Sequence, residues 1–343
     1  MEKRIGILTF HRADNLGAVL QAYALSKYIA ESIEIKAEIV DYKCEKVEST
    51  RYAHTGNVVK RIPLAVYYKI KRSGFDRFRN EHLPLSATVY TKGNISDSNQ
   101  VYSTFIAGSD QIWNTECSEN DATYFLDFAD DGKTKIAYAA SIGSIKFTSD
   151  EIKTYTKYLS RFKAISVREQ SSINKLDLPK DTMILPDPVF LLDKKQWENV
   201  AVKKSHKKKY VFVYLIQEDV NVLSAATKYA RQHDCEVVIN KKSIEFIMHN
   251  APDYFLGWIE NAEAVFTNSF HGTAFSIIFK KKLAADIALK NGGTNNRINE
   301  LLCSAGLNQC IITEKDNAPT TANADEWLKG QKNNAKDFLM QNI

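Results

Sequence analysis

Residues Ala264–Lys280 read A-V-F-T-N-S-F-H-G-T-A-F-S-I-I-F-K, an apolar strand run, a polar seam and an apolar helix in direct succession. Val265 and Phe266 have strand character, whereas Ala274, Phe275, Ile277, Ile278 and Phe279 cover a helix on nearly every side, as a buried element does. His271 and Gly272 fall at the junction. Open α/β sheets bind ligands where a strand ends and a helix begins, because backbone N–H groups and the positive end of the helix dipole converge there. The seam is therefore a candidate anion site. The plainer alternative has His271 capping the helix and Gly272 only making the turn.

The same alternation extends outward in both directions. Arg4–Phe10 reads as a buried strand, His11–Gly17 as a loop, Ala18–Ala30 as a helix and Ile35–Tyr42 as a second strand, a βαβ opening that implies parallel pairing. From Lys43 to Gln100 weak helical patterns are broken by Pro63, Gly74, Pro84 and Gly93. Strands are expected again at Tyr102–Ile106, Lys135–Ser141 and Ala164–Val167, with an amphipathic helix over Glu151–Phe162. The run L-P-D-P-V-F-L-L-D and the lysine-rich stretch after it mark a boundary, beyond which a second α/β unit begins. In that unit strands are expected at Tyr210–Ile216, Glu236–Asn240, Ala264–Thr267 and Lys282–Asp286, and helices at Val220–Gln232, Pro252–Ala262 and Asn296–Ala305. The expected division is 1–190, 191–320 and a C-terminal helix within 321–343 that packs back across the domains.

Composition narrows the function classes. With 343 residues, 44% apolar and 25% charged, the chain can bury a large core. Its net charge of +5, from 46 basic against 41 acidic residues, gives no case for a nucleic-acid partner without a basic stripe. Lys203, Lys204, His206, Lys207, Lys208 and Lys209 form one basic cluster, read as a solvated linker, with contact to an anionic lipid carrier or membrane surface as the alternative. Five scattered cysteines without C-x-x-C fit a reducing cytoplasm better than a disulfide framework or zinc ribbon. The expected place is the cytoplasm, with at most peripheral contact at the inner face of the membrane, because no apolar run is long enough to span one.

Four further seams could carry chemistry. In H-R-A-D-N-L-G-A, Asn15 and Gly17 could offer N–H groups to an anion or sugar hydroxyl, or Asn15 could simply cap the helix; G-x-G-x-x-G is absent, which disfavours NAD. The turn A-G-S-D-Q-I-W-N gathers Ser109, Asp110, Gln111, Trp113 and Asn114. Trp113 could stack on a sugar while Asp110 removes a hydroxyl proton, or Trp113 could lie in the core. Arg168 follows a strand and could fork onto a carboxylate or phosphate, or pair with a neighbouring carboxylate. Arg297, near Asn295 and after the stretch N-G-G-T, is another candidate anion contact. There is no H-E-x-x-H, EF-hand spacing, P-loop or G-x-S-x-G, so no metal or other cofactor is expected.

Taken in order, N-L-G-A-V-L-Q-A-Y-A-L, F-I-A-G-S-D-Q-I-W-N, Y-A-A-S-I-G, I-S-V-R-E, L-P-D-P-V-F-L-L and T-N-S-F-H-G-T-A-F-S-I-I-F resemble the polysaccharide pyruvyl transferases over most of the chain. The resemblance implies an α/β fold of two Rossmann-like domains facing a cleft, the GT-B architecture of glycosyltransferases. It implies transfer of the enolpyruvyl unit of phosphoenolpyruvate, a co-substrate, onto two hydroxyls of a sugar, giving a pyruvate ketal and phosphate. The acceptor class it implies is an exopolysaccharide or capsular repeat unit or its lipid-linked precursor. By this resemblance Arg168 and His271 bind phosphoenolpyruvate, with Ser269, Phe270, Gly272, Thr273 and Arg297 on the donor side. Asn15, Gly17, Ser109, Asp110, Gln111 and Trp113 would lie on the acceptor side, and Asp110 is expected as hydroxyl base. Some relatives carry arginine where Ser269 stands, which leaves Arg297 as a replacement charge. The competing readings are a glycosyltransferase using a nucleotide sugar and a non-catalytic anion-binding protein.

Overall fold

The computed structural model describes residues 3–52, 64–143, 145–203, 208–288, 295–313 and 318–343. Pro63, the basic-cluster residues Lys204, His206 and Lys207, and the stretch N-G-G-T at 291–294 lie outside the described residues. Two compact units emerge. The first holds residues 1–53, 79–191 and 330–343, and the second 54–78 and 192–329. The helices Leu64–His82 and Asp325–Asn342 each contribute residues to both units.

The first unit is built on a seven-stranded parallel sheet. Its strands are β1 (Arg4–Leu8), β2 (Lys36–Tyr42), β3 (Leu85–Tyr90), β4 (Thr104–Ala107), β5 (Thr134–Ala140), β6 (Ala164–Val167) and β7 (Met183–Ile184). They lie in the order β3-β2-β1-β4-β5-β6-β7. Inner strands of a parallel sheet are covered on both faces, which is why β4 is buried at all four positions and, after Thr104, reads as an apolar run. Edge strand β3 has no such signature in the sequence. It buries only Ser86 and Tyr90 among its six residues, so neither an apolar run nor a strict alternation announces it.

The second unit carries β8 (Tyr210–Tyr214), β9 (Glu236–Ile239), β10 (Ala264–Thr267), β11 (Lys282–Ala285) and β12 (Thr320–Thr321), in the order β12-β11-β10-β8-β9. Only β12 runs antiparallel. Val211, Val213, Phe266 and Ala284 form its core with Val222 and Ala226 of the helix Val220–Gln232. Each sheet contains one place where the chain reverses its direction of travel, between β1 and β4 in the first and between β8 and β10 in the second. At such a switch point the loops on neighbouring strands diverge and leave room for a ligand.

Candidate active site

At the β1/β4 switch point, Thr9 Oγ1 donates to the Ser109 carbonyl at 2.9 Å, and Gln21 Nε2 donates to Thr9 Oγ1 at 2.8 Å. The loop after β1 is thereby tied to the loop after β4. A buried arginine holds the same loop from outside: Arg79 donates to the carbonyls of His11, Arg12 and Ala13 at 2.8, 3.0 and 2.8 Å and to Asp14 Oδ1 at 2.6 Å. Arg12 Nη1 and His11 Nε2 both meet Asp41 Oδ1, at 2.6 and 3.0 Å. Burial alone would raise the Asp41 carboxyl, but His11 and Arg12 outweigh it and hold it below its ordinary range. None of this network follows from local spacing, since Asp41, Arg79 and Glu48, which Arg12 Nε meets at 2.6 Å, come from separate elements.

The loop after β4 is built around Asp110, which is half-buried and adopts a left-handed backbone with φ 78°. Its carbonyl accepts from Ser141 N at 3.0 Å, so that Asp110 bridges to the end of β5. Gln111 N donates to Asp110 Oδ1 at 2.8 Å. Glu169, buried after β6, accepts from the hydroxyls of Ser141 and Ser172, both at 2.6 Å. Three strand-end loops are thus linked, the first two through backbone and the last two through side chains.

Arg168 takes the ion-pair alternative. Its Nη1 lies 2.5 Å from Asp187 Oδ2 and its Nε 3.5 Å from Glu169 Oε2, with its side chain 2% exposed. Burial opposes the charge, yet Asp187, Glu169 and Asp110 more than offset it and raise the guanidinium's pKa. The open guanidinium fork expected from the sequence is therefore corrected to a buried cation beside Asp110. Trp113 is corrected as well. It is fully buried, stacks on Phe125 at 5.7 Å between ring centroids and donates Nε1–H to the Tyr124 carbonyl, so it offers no face to a sugar. Ser109 and Gly17 are also buried, and Asn15 caps the helix Leu16–Tyr28 by accepting from Ala18 N at 3.2 Å. Asp110 and Gln111 remain the half-exposed polar side chains of the expected acceptor group, and Asn15 is exposed.

In the second unit, Ser269 caps the helix Phe270–Ile278 by accepting from Gly272 N at 3.3 Å, so the cap is Ser269 and not His271. Thr267 Oγ1 donates to the Tyr214 carbonyl at 2.6 Å and accepts from Ser269 N at 3.0 Å, fastening the turn to β8. Gly272 is required by close approach: a Cβ there would stand 2.5 Å from Thr267 Oγ1. Thr273 is buried and donates Oγ1–H to the Ser269 carbonyl at 3.0 Å, and Phe270 is buried, so both serve the turn itself. His271 is half-buried in the first helical turn, which contains no acidic residue to oppose the dipole. Arg297 is half-buried in the first turn of the helix Asn296–Ser304.

Two carboxylates that local reading passed over also meet at this sheet end. Asp219 lies close enough to Asp286 to act on its carboxyl, and Asn268 Nδ2 donates to Asp219 Oδ2 at 3.4 Å and to the Gln217 carbonyl at 3.0 Å. Burial, then the Asp219 charge, raise the Asp286 carboxyl above its ordinary range. No signal within the sequence pairs residues so far apart.

The sequence profile of the polysaccharide pyruvyl transferases matches residues 15–285, running from the cap of the first helix to the end of β11. The chain belongs to the polysaccharide pyruvyl transferase family. No curated protein is similar enough in sequence to stand as a relative. Among solved structures, UDP-GlcNAc 2-epimerase from Methanocaldococcus jannaschii is similar, with TM-score 0.50 and 10% identity over 99% of this chain and 93% of that one. The E. coli heptosyltransferase WaaC solved with ADP has TM-score 0.40 and 11% identity over 99% and 100% of the two chains. The fold of this family member is α/β of the GT-B class, with two Rossmann-like sheets in succession. Among the described residues no helix is long and apolar enough to cross a membrane.

Proposed function

We propose that this family member transfers the enolpyruvyl unit of phosphoenolpyruvate onto two hydroxyls of one sugar in a polysaccharide or its lipid-linked precursor, releasing phosphate. The observation that carries this reading is the turn after β10: a helix start with no acidic residue in its first turn, bearing a half-buried imidazole. Such a start favours an anion. An imidazole can carry a proton and hand it on, which suits delivery to the methylene carbon of the enol.

Roles divide by unit in this reading. His271 is the proton donor or phosphate partner, with Arg297 as a guanidinium of the same unit. Asp110 is the hydroxyl base, and Gln111 binds the acceptor beside it. Arg168, ion-paired behind them, holds positive charge next to Asp110 and is assigned a positioning part. The balance is simple: the methylene carbon gains one proton, the two hydroxyl oxygens bond to the neighbouring carbon that bore the phosphate, and phosphate departs with its ester oxygen; of the two hydroxyl protons released, one matches the proton taken up and the other leaves on the phosphate. Incubation with phosphoenolpyruvate and candidate oligosaccharides tests it. Phosphate release, with an acceptor heavier by one pyruvate less one water, is the expected result. Release of a nucleotide from a sugar donor, with phosphoenolpyruvate inert, would overturn it.

A further inference from the structure

The orientation of one side-chain amide can be followed through a chain of hydrogen bonds. Asn114 is buried and caps the short helix Thr115–Ser118, accepting from Glu116 N at 3.1 Å through Oδ1. With its oxygen committed, Asn114 can only donate through Nδ2, and that group meets Gln111 Oε1 at 3.0 Å. Gln111 therefore turns its oxygen inward. Its Nε2, with two N–H donors, has no partner among the described residues, and the residue is half-exposed. Next to it, Asp110 Oδ1 is occupied by Gln111 N at 2.8 Å, which leaves Oδ2 as the second acceptor of that carboxylate.

Gly143 fixes the same amide from the other side. Its backbone is left-handed, φ +70°, and a Cβ added there would stand 2.1 Å from Gln111 Oε1 and 3.0 Å from Asn114 Nδ2. Both contacts are side-chain atoms, so a methyl at 143 would displace the amide before it displaced any backbone. Gly143 is itself held in place, donating N–H to Ser141 Oγ at 3.2 Å and accepting from Lys175 Nζ.

We propose that Gly143 and Asn114 are positioning residues for acceptor recognition. They present the Gln111 NH₂ as a donor beside the Asp110 carboxylate, a donor and acceptor set side by side to grip neighbouring hydroxyls of a sugar. This rests on the transferase reading above, and it adds two residues and an amide orientation to it. Asn114→Asp separates the proposal from a structural role. Aspartate still caps the helix, but it offers oxygen to Gln111, which then turns its NH₂ inward and its carbonyl outward.

The test is steady-state kinetics on Gly143→Ala and Asn114→Asp, each with Gln111 present and with Gln111→Ala. Each single variant is expected to raise the acceptor KM about fivefold to tenfold, the worth of one hydrogen bond, with the phosphoenolpyruvate KM within about twofold. In the Gln111→Ala background the same changes are expected to leave acceptor KM unmoved. Equal effects in both backgrounds overturn the proposal. If the wild-type protein releases no phosphate with any saccharide, the transferase reading has failed, and amide orientation is then read without turnover by NMR of the Gln111 side-chain NH₂. Rapid solvent exchange in the wild type and protection in Asn114→Asp support the orientation; protection in the wild type overturns it.

Discussion

Arg168 Nη1 and Asp187 Oδ2 stand 2.5 Å apart with side chains 2% and 0% exposed, an ion pair closed to water. Removing one member leaves the other charged and buried, which costs far more than the net worth of the pair. Asp187→Ala is therefore expected to lose about 3–5 kcal/mol of stability. Urea denaturation measures it, and a loss below about 1 kcal/mol, the size of a surface pair, would mean that water reaches the site.

His271→Asn keeps the size of the ring's polar edge but removes proton exchange. A drop in kcat of about 10²–10⁴ is expected if the imidazole delivers the proton, with an unchanged melting temperature. Phosphate release under saturating phosphoenolpyruvate reports it. Full retention of kcat would remove His271 from the chemistry.

At the same turn, Gly272→Ala forces a methyl toward Thr267 Oγ1, the atom that fastens the turn to β8. An overpacking cost of about 1–3 kcal/mol is expected. Because the strain arises at one atom, Thr267→Ala in the same chain should make the two changes less than additive. Strict additivity in thermal or chemical melts would place the strain elsewhere.

Two aspartates set opposite pH dependences. Asp286 is raised above its ordinary 3.8, first by burial and then by Asp219, so its contribution to stability is complete below 3.8 and is lost as pH rises through the raised value. Asp41 is lowered: burial acts against this, but His11 and Arg12 prevail, and its contribution is present above 3.8 and lost as pH falls through the lowered value. In thermal melts from acid to neutral pH, Asp286→Asn should flatten the decline on the upper side and Asp41→Asn the decline on the acid side. Parallel curves for wild type and both variants would contradict the shifts.

Much of the fold was legible because it is written in local periods. The strands Ala164–Val167 and Ala264–Thr267 and the helices Val220–Gln232 and Asp325–Asn342 stand where apolar spacing and end signals put them. Boundaries shifted by one to three residues elsewhere, as at Leu16–Tyr28, which passes into a π-helical turn over Ile29–Ile33. The edge strand Leu85–Tyr90 escaped because only two of its residues are buried.

The candidate site was legible as a set of strand ends, but not as a set of contacts. A residue's position after a strand depends on its neighbours in sequence, and that much follows from the order of letters. Whether Trp113 faces a ligand or the core depends on Phe125 and Phe162, brought beside it by packing. Likewise Arg168 finds Asp187 and Asp219 finds Asp286 only once separate segments converge at a sheet end. Strand and helix periods arise from backbone geometry repeating every few residues, so one segment suffices to reveal them. Burial, charge pairing and amide orientation belong to chain segments far apart in sequence, and only their packing together assigns them.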